Sequence, residues 1–316
     1  MKKESVSVVI PVYNSKETLP RLAEQITDAL TSRGNEFEVI FVNDGSRNPE
    51  TWNVLRKLAF SQPHLVAINL LRNYGQHNAL LCGIRAARNE IIVTLDDDLQ
   101  HPPEEIPLLL DELARQGQDV VYGTPHREQH GFLRNLASQL TKLAMEHMIG
   151  AANARDISSF RAFRTQLRDG FARFAGPFVS IDVLLTWSTS RFGVVRVRRE
   201  PRTIGKSNYS FWKLLVATVN VATAFSTLPL RIASVMGFIM TLFGVATFIY
   251  VIGTYLLKGS VPGFPFLACL VAIFSGAQLF ALGIIGEYLA RMFHRSMERP
   301  VYTIREVIET KAGSTA

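Results

Sequence analysis

The chain of 316 residues is poor in cysteine, and no long apolar run precedes Arg231. With Cys82 and Cys269 as its two cysteines, it has neither a disulfide framework nor the ligand spacing of a metal site. We interpret both as ordinary buried thiols. The residues after Met1 lead directly into a β-like run and lack the apolar core of a secretory signal peptide. We therefore expect the polar part of the chain to stay in the cytoplasm.

Acidic residues are fewer than basic ones, 27 against 34, which gives a net charge of +7. No DNA- or RNA-binding motif accompanies this charge, so we do not expect nucleic acid as a partner. The basic residues concentrate at residues 191–202, with Lys206 and Lys213 close by. A basic cluster ahead of an apolar segment favours contact with anionic membrane lipids on the cytoplasmic side.

Charged residues are rare between Arg231 and Tyr288. Two apolar runs, residues 232–257 and 264–289, each exceed the roughly 20 residues needed to cross a bilayer. The short loop between them predicts a helical hairpin within residues 231–290, and the arginines on its outer sides place both of its ends in the cytoplasm. Residues 209–230 mix aromatic, aliphatic and polar side chains, which predicts an interfacial helix on the membrane. A buried helix of the polar domain is the alternative.

Short β-branched runs alternate with helical patterns before this hairpin. The alternation predicts an α/β domain over residues 1–208, with a mostly parallel sheet flanked by helices. Residues 291–316 are then a cytoplasmic tail, in which weak alternation at 301–308 is compatible with a late strand. We predict strands at 6–10, 37–42, 65–70, 90–95, 119–122 and 193–197, and helices at 19–30, 51–59, 79–87, 104–113 and 131–150.

Polar residues follow three of the predicted strands. Tyr13 and Asn14 follow the first, Asp44 follows the second, and residues 96–98, three aspartates, follow the fourth. Because ligands bind at the carboxyl ends of strands in such sheets, we expect a site there. Three carboxylates on one turn repel each other unless a cation is present, and their oxygens suit Mg²⁺ or Mn²⁺ carrying a diphosphate. A solvated acidic turn is the alternative for an isolated Asp-x-Asp.

Four motifs together resemble a known family. Residues 8–14 and 43–46 look like the opening and the Asp-Gly-Ser turn of family 2 glycosyltransferases, which have the Rossmann-like GT-A fold. Residues 96–104 resemble the longer acidic motif of the dolichol-phosphate-mannose synthase relatives, which act on polyprenyl phosphates. Residues 72–77 are similar to bacterial undecaprenyl-phosphate transferases, particularly those that transfer 4-deoxy-4-formamido-arabinose. The resemblance covers residues 5–307.

This resemblance implies a site for the nucleotide-sugar donor and for a metal ion. Taken singly, Pro11 and Gly75 are also compatible with simple turn residues, and Asp44 with an Asx turn. We interpret His77 and His101 as packing or helix-start residues. The implied donor residues are Pro11, Tyr13, Asn14, Glu17, Asp44, Gly75, Gln76 and Asp97, and the implied ligands of Mg²⁺ or Mn²⁺ are Asp96, Asp98 and Gln100.

The resemblance also implies residues for the acceptor. Asp156 corresponds to an acceptor-side aspartate, either as general base or as the group that orients an already anionic phosphate. A helix-start carboxylate is the alternative. Arg202, Lys206 and Ser207 lie in a loop similar to the family's Arg-x-x-Gly-x-Ser-Lys-Tyr loop, which suits a lipid phosphate. General membrane-surface charge is the alternative for this loop.

Two positions depart from the family pattern. Asn208 stands where the family usually has lysine, and Lys206 carries the positive charge two residues earlier. Either Lys206 reaches the phosphate by another route or the acceptor is held more weakly. Ser15 stands where an acidic residue commonly follows Tyr-Asn, so that Glu17 carries that function alone or donor preference differs.

The resemblance implies metal-dependent, inverting transfer of a sugar from a UDP-sugar to undecaprenyl phosphate at the bacterial inner membrane, by a homo-oligomer that is a tetramer in close relatives. The sugar and the envelope pathway stay open. A catalytically inactive nucleotide-sugar-binding membrane scaffold is one alternative. A processive polysaccharide synthase is another, although the sequence lacks its usual Gln-x-x-Arg-Trp motif.

Overall fold

The computed structural model describes residues 3–115, 117–125, 157–176, 179–200, 228–259, 263–297 and 299–310. The chain divides into two compact units, one of residues 1–209 with 300–316 and one of residues 210–299. The predicted helix at 131–150 and most of the region 209–230 lie outside the described residues.

The first unit is built on an eight-stranded mixed sheet in the order β7-β5-β6-β4-β1-β2-β3-β8. The four neighbours β4, β1, β2 and β3 are parallel, whereas β6 and β8 run antiparallel to their partners in this group. This confirms the expected α/β fold with a mostly parallel sheet. The strands are β1 (Val6–Val12), β2 (Phe37–Asn43), β3 (Leu65–Leu70), β4 (Ile91–Thr94), β5 (Val120–Pro125), β6 (Arg161–Arg164), β7 (Phe192–Val197) and β8 (Ile304–Glu309).

Helices cover both faces of the sheet. Alternate side chains of β1 supply the two cores: Val8 and Ile10 join the core on one face, and Val9 joins the core on the other. A Cβ on Gly83 would lie 2.3 Å from Val9 Cγ1, so glycine is required where the helix meets the sheet. The helices are α1 (Leu19–Arg33), α2 (Pro49–Ser61) and α4 (Ile106–Ala114) on the first face, and α3 (Gln76–Ala86) and α5 (Ile181–Thr186) on the second.

Strand β6 is not predicted from the sequence, because it begins and ends with arginine. Arg161 is nonetheless only 1% exposed. Its guanidinium pairs with the buried Asp182 carboxylate, and the Tyr122 phenol donates to the same carboxylate oxygen at 3.0 Å. The pair offsets the cost of burying each charge, so a charged residue is accommodated in a core strand.

The chain returns to the sheet at β8, which lies antiparallel to the edge strand β3. Side-chain contacts fasten it to α2 and to the segment just after α3: Trp52 Nε1 donates to Glu306 at 3.2 Å, Thr310 Oγ1 donates to the Ala59 carbonyl at 2.7 Å, and Arg88 pairs with Glu309. The sheet edge at β3 is therefore covered by residues that follow the apolar helices in sequence.

The second unit contains two long helices, α6 (Leu228–Lys258) and α7 (Phe264–Ser296). By length and composition, Leu230–Leu257 and Ile273–Ser296 are long and apolar enough to cross a membrane. Where the helices pack, a Cβ on Gly244 would lie 3.1 Å from the Phe274 ring, so a small residue permits the approach. The apolar run predicted from the sequence ends at residue 289, but helix α7 continues to Ser296. The charged residues in this last part are also compatible with a helix.

Part of the basic region at residues 191–202 is neutralised within the first unit. Arg191 forms two hydrogen bonds with the Asp119 carboxylate, at 2.9 and 2.6 Å, and Arg198 lies 2.6 Å from Glu105. In the sequence these arginines form one positively charged cluster. In the fold, Arg191 and Arg198 each pair with an acidic residue that is distant in sequence.

The Asp182→Ala variant should lower the free energy of unfolding by about 3–5 kcal/mol, because it leaves the Arg161 guanidinium buried and unpaired. Unfolding of the detergent-solubilised full chain by urea, followed by tryptophan fluorescence, measures this change.

The matched control is Glu309→Gln, which breaks an ion pair whose arginine side chain is 60% exposed. We expect a loss below about 1 kcal/mol there, because water screens the charges. Equal losses in the two variants would contradict the interpretation of the Arg161–Asp182 pair.

Candidate active site

The turns after β1 and β2 are joined through Asn14. Its backbone has φ +59°, a left-handed conformation that asparagine tolerates better than most residues. The Asn14 N–H donates to Ser46 Oγ at 2.9 Å, and its Oδ1 accepts from the backbone N–H groups of Arg47 and Asn48 at 2.9 and 3.3 Å. Asn14 therefore orders the turn after β2, and Tyr13 beside it is 40% exposed.

Asp44 joins the turn after β2 to the loop after β3. It is 3% exposed, and its two carboxylate oxygens accept from the backbone N–H groups of Tyr74 and Gly75 at 2.7 and 2.9 Å. Burial raises the pKa of the Asp44 carboxyl from its ordinary value, and the two hydrogen bonds oppose that rise. The carboxylate holds the loop in one conformation beside the start of α3.

Gly45 is required where these two segments meet. Its φ is +60°, and a Cβ would lie 2.3 Å from the Arg72 carbonyl carbon. Both the left-handed backbone and the contact with another backbone exclude a larger side chain.

Asp96 is oriented by two neutral donors from different elements. Gln76 Nε2, in the first turn of α3, donates to one oxygen at 2.6 Å, and Ser159 Oγ, just before β6, donates to the other at 2.7 Å. Both donors are neutral groups, so these two bonds orient the Asp96 carboxylate without forming an ion pair.

Asp97 points back towards the turn after β1. It accepts from the Tyr13 N–H at 3.2 Å and from the Ser15 hydroxyl, while Thr18 Oγ1 donates to its backbone carbonyl at 2.7 Å. Burial raises the pKa of the Asp97 carboxyl to about 6, with further rises from the charges of Asp96 and Asp98. The middle aspartate thus fixes the β1 turn.

Asp98 and Gln100 complete the acidic turn. Asp98 Oδ1 accepts the Gln100 N–H at 3.1 Å. Gln100 Oε1 accepts two hydrogen bonds from the Arg199 guanidinium, at 3.1 and 2.6 Å. A carbonyl oxygen has two lone pairs, and these two hydrogen bonds occupy both of them. Gln100 would therefore have to release Arg199 before its side-chain oxygen could bind a metal ion.

The acidic turn fits a cation that arrives with a phosphate ligand. The described residues contain no group of three His, Cys, Asp or Glu side chains arranged to hold a metal ion. Mg²⁺ commonly takes one or two protein carboxylates and completes its shell with water and substrate phosphates. The carboxylates of Asp96 and Asp98 therefore suit such a cation without a full protein cage.

Two histidines lie near this edge, a partly buried His77 and a buried His101. His77 Nδ1 accepts the Ile181 N–H at 3.4 Å, and burial lowers the pKa of the His77 imidazole. Burial also lowers the pKa of His101, whose ring lies 5.3 Å from that of Phe160. These contacts agree with packing roles, although in the described part of the chain the buried His101 Nδ1 has no hydrogen-bond partner.

The structure brings most of the predicted donor residues to one edge of the sheet. Pro11 is buried within β1, and Glu17 is exposed on the turn before α1. Sequence reasoning missed Ser159, which orients Asp96, because a serine before an unpredicted strand carries no distinctive pattern. The predicted acceptor residues lie outside the described residues: Asp156, Arg202, Lys206 and Ser207.

The sequence model for "Glycosyl transferase family 2" matches residues 7–171, which include all of these turns. The chain belongs to this family. It is a glycosyltransferase, and its family 2 region contains β1 to β6 and the whole acidic turn.

Two relatives of this family 2 chain are similar over nearly its full length. The undecaprenyl-phosphate 4-deoxy-4-formamido-L-arabinose transferase of Pectobacterium atrosepticum is 34% identical, over 99% of this chain and 96% of the relative. The protein of the same name from Proteus mirabilis is 34% identical, over 98% of this chain and 96% of the relative. The likeness therefore includes the apolar helices as well as the sheet.

Solved structures agree with the fold of the family 2 chain. Glucosyl-3-phosphoglycerate synthase from Mycobacterium tuberculosis, in complex with phosphoglyceric acid, superposes with a TM-score of 0.50 at 20% identity, over 70% of this chain and 79% of that one. The same enzyme with Mn²⁺, UDP-glucose and phosphoglyceric acid gives 0.50 at 19% identity, over 70% and 78%. At an identity of 19–20%, the similarity to these structures supports a shared fold only.

The Gly45→Ala variant should speed hydrogen exchange of residues 72–75, because the added methyl group displaces the backbone of Arg72 and with it the loop that Asp44 holds. Gly34→Ala is the control: Gly34 has φ +74°, but the nearest atom to its added Cβ is the Lys3 Nζ at 3.8 Å. We expect the control to cost about 1–2 kcal/mol of stability and to leave exchange at residues 72–75 unchanged. Hydrogen exchange of both variants decides, and wild-type exchange at this loop in Gly45→Ala would contradict the role of this contact.

The contribution of His77 to stability should fall as the pH drops below about 6.5, the ordinary pKa of histidine. Since burial lowers the pKa of His77 in the folded chain, the unfolded chain takes up a proton first. The free energy of unfolding is therefore unaffected by His77 above that pH and decreases below it. Urea unfolding between pH 5 and pH 8 measures the slope, which His77→Gln should reduce. An unchanged slope in His77→Gln would show that His77 does not titrate in this way.

Proposed function

We propose that this glycosyltransferase transfers a sugar from a UDP-sugar to undecaprenyl phosphate at the cytoplasmic face of the bacterial inner membrane. The observation that carries the proposal is the union, in one chain, of polar turns converging at a sheet edge and two helices of bilayer-spanning length. The names of two relatives that match over nearly the whole chain support undecaprenyl phosphate as acceptor.

The donor nucleotide would lie along the turns after β1, β2 and β3. Each oxygen of Asp44 accepts one N–H group, from Tyr74 or Gly75, so the carboxylate would hold the loop that faces the nucleotide. Asn14 and Asp97 likewise order the β1 turn, next to the exposed Tyr13 ring. These residues would orient the base and ribose before the reaction, which lowers the entropic cost of reaching the transition state.

Asp96 and Asp98 would hold Mg²⁺ or Mn²⁺ on the donor diphosphate. Such an ion, when bound, stabilises negative charge on the departing nucleoside diphosphate. Gln76 and Ser159 keep the Asp96 carboxylate in place, so little reorganisation is needed when the donor binds. Gln100, the third implied ligand, would join only after exchanging Arg199.

The acceptor side of the proposal rests on Asp156 as the residue that orients the lipid phosphate, and on Arg202, Lys206 and Ser207 as its binding loop. A lipid phosphate is already anionic, so attack on the anomeric carbon in a single inverting displacement requires orientation more than proton removal. The two apolar helices would keep the enzyme at the membrane, where the acceptor headgroup lies. We also propose a homo-oligomer in contact with membrane lipids.

The full chain in detergent, incubated with undecaprenyl phosphate, Mn²⁺ and a panel of UDP-sugars, should form a glycosyl-phosphoryl lipid detectable by mass spectrometry. The names of the relatives make UDP-4-deoxy-4-formamido-L-arabinose the first donor to include. Asp98→Ala should lower the rate by roughly 10²-fold or more, because it removes charge stabilisation at the diphosphate.

Asp111→Ala is the matched control, since this carboxylate on α4 is 57% exposed and pairs with Arg33 away from the acidic turn. It should leave the rate unchanged. A chain that binds UDP but forms no product with any donor would support the inactive scaffold and refute the transferase. A polymeric product would instead indicate a polysaccharide synthase.

A further inference from the structure

We propose that residues 301–305, here called the C-terminal brace, position the donor-nucleotide site by holding the loop at residues 71–75. The inference rests on the proposed function in that this loop is taken to bind the nucleotide. No contact of the brace with substrate is involved, so its residues are positioning residues.

The brace is bonded to the loop through the backbone. The Leu71 N–H donates to the Thr303 carbonyl at 3.0 Å, and Arg305 donates to the Leu71 carbonyl at 3.4 Å. These bonds continue beyond the end of β3, where the β3–β8 ladder has a register shift at Asn69 and Leu70. The loop therefore begins as an extension of a strand pair whose other member is the C-terminal segment.

Side chains of the brace reach the middle of the loop and the helix after it. A hydrogen-bonding interaction with Thr303 lowers the pKa of the Tyr74 phenol. The Tyr302 ring lies under the Arg85 guanidinium, 5.7 Å from its central carbon, and packs into the core that contains Cys82. Both Arg85 and Cys82 belong to α3, so Tyr302 supports the helix that starts at Gln76.

The loop and the residue after it in turn contact two aspartates of the candidate site. Its Tyr74 and Gly75 N–H groups donate to Asp44, and the next residue, Gln76, donates to Asp96. A displaced loop would thus lose two bonds at the buried Asp44 and the bond that orients Asp96. The brace follows the second apolar helix directly in sequence, so the segment that leaves the proposed membrane hairpin is part of the nucleotide site's support.

Two threonines of the C-terminal segment allow a matched test in the full chain. Thr303 lies against the loop, whereas Thr310, at the other end of β8, donates to the Ala59 carbonyl in α2. We compare Thr303→Val, Thr303→Ser and Thr310→Val, with Tyr302→Ala as a second variant of the brace. The readouts are hydrogen exchange of residues 71–76 without ligand, and the Kd for UDP.

Thr303→Val should speed exchange of the loop amides and raise the Kd for UDP roughly threefold to tenfold, because it removes the hydroxyl that interacts with the Tyr74 phenol. Tyr302→Ala should have a larger effect. Thr303→Ser, which keeps the hydroxyl, and Thr310→Val should behave like the wild-type chain in both readouts.

Wild-type exchange at residues 71–76 in both Thr303→Val and Tyr302→Ala would overturn the brace, whatever the Kd for UDP. An equal response of Thr310→Val would also overturn it, because the effect would then be general destabilisation. Faster exchange combined with no UDP binding by the wild-type chain would uphold the loop contact and refute the proposed function instead.

Discussion

The active-site edge depends on one type of interaction, a carboxylate that accepts backbone N–H groups from a neighbouring strand's loop. Parallel strands β4, β1, β2 and β3 end at the same edge, so irregular turns with unpaired N–H groups are brought close together. Asp44 accepts from Tyr74 and Gly75, and Asp97 accepts from Tyr13. The loop after β3 and the turn after β1 are therefore each ordered by an acidic side chain of another turn.

This arrangement separates the tasks of the three adjacent aspartates. Asp97 is directed into the protein and holds the β1 turn. Burial there raises the pKa of its carboxyl. Gln76 and Ser159 fix the direction of the Asp96 carboxylate. Like charges on one turn are tolerated because the middle carboxylate is bonded away from its neighbours. In the proposed function, the flanking Asp96 and Asp98 hold the cation.

The sequence predicts the parts of the fold that depend on runs of similar residues. The β-branched runs of β1 and β2 and the apolar runs of α6 and α7 are recognisable because burial selects their composition. Strand β6 is not, since its Arg161 is buried only through Asp182, a partner 21 residues away. The sequence predicts the start of α3 three residues too late, because Gln76, His77 and Asn78 interrupt the apolar periodicity.

The features of the site that the sequence does not predict depend on contacts between segments that are far apart in the chain. The motifs lead to Asp44, Asp96 and Asp98 because such residues are typical of the family at these positions. Nothing in the local sequence links Gln100 to Arg199, or residue 303 to residue 71, since those pairs depend on how the sheet is ordered. The acceptor assignments at Asp156 and residues 202–207 stay predictions.

The position of β8 in the sheet has a consequence for biosynthesis. Residues 304–309 leave the ribosome after both apolar helices, yet they cover the edge of β3, which is complete by residue 70. During translation that edge lacks its native partner until the end of the chain emerges, and an uncovered strand edge is prone to pair with other chains. Synthesis of both apolar helices thus precedes completion of the catalytic sheet.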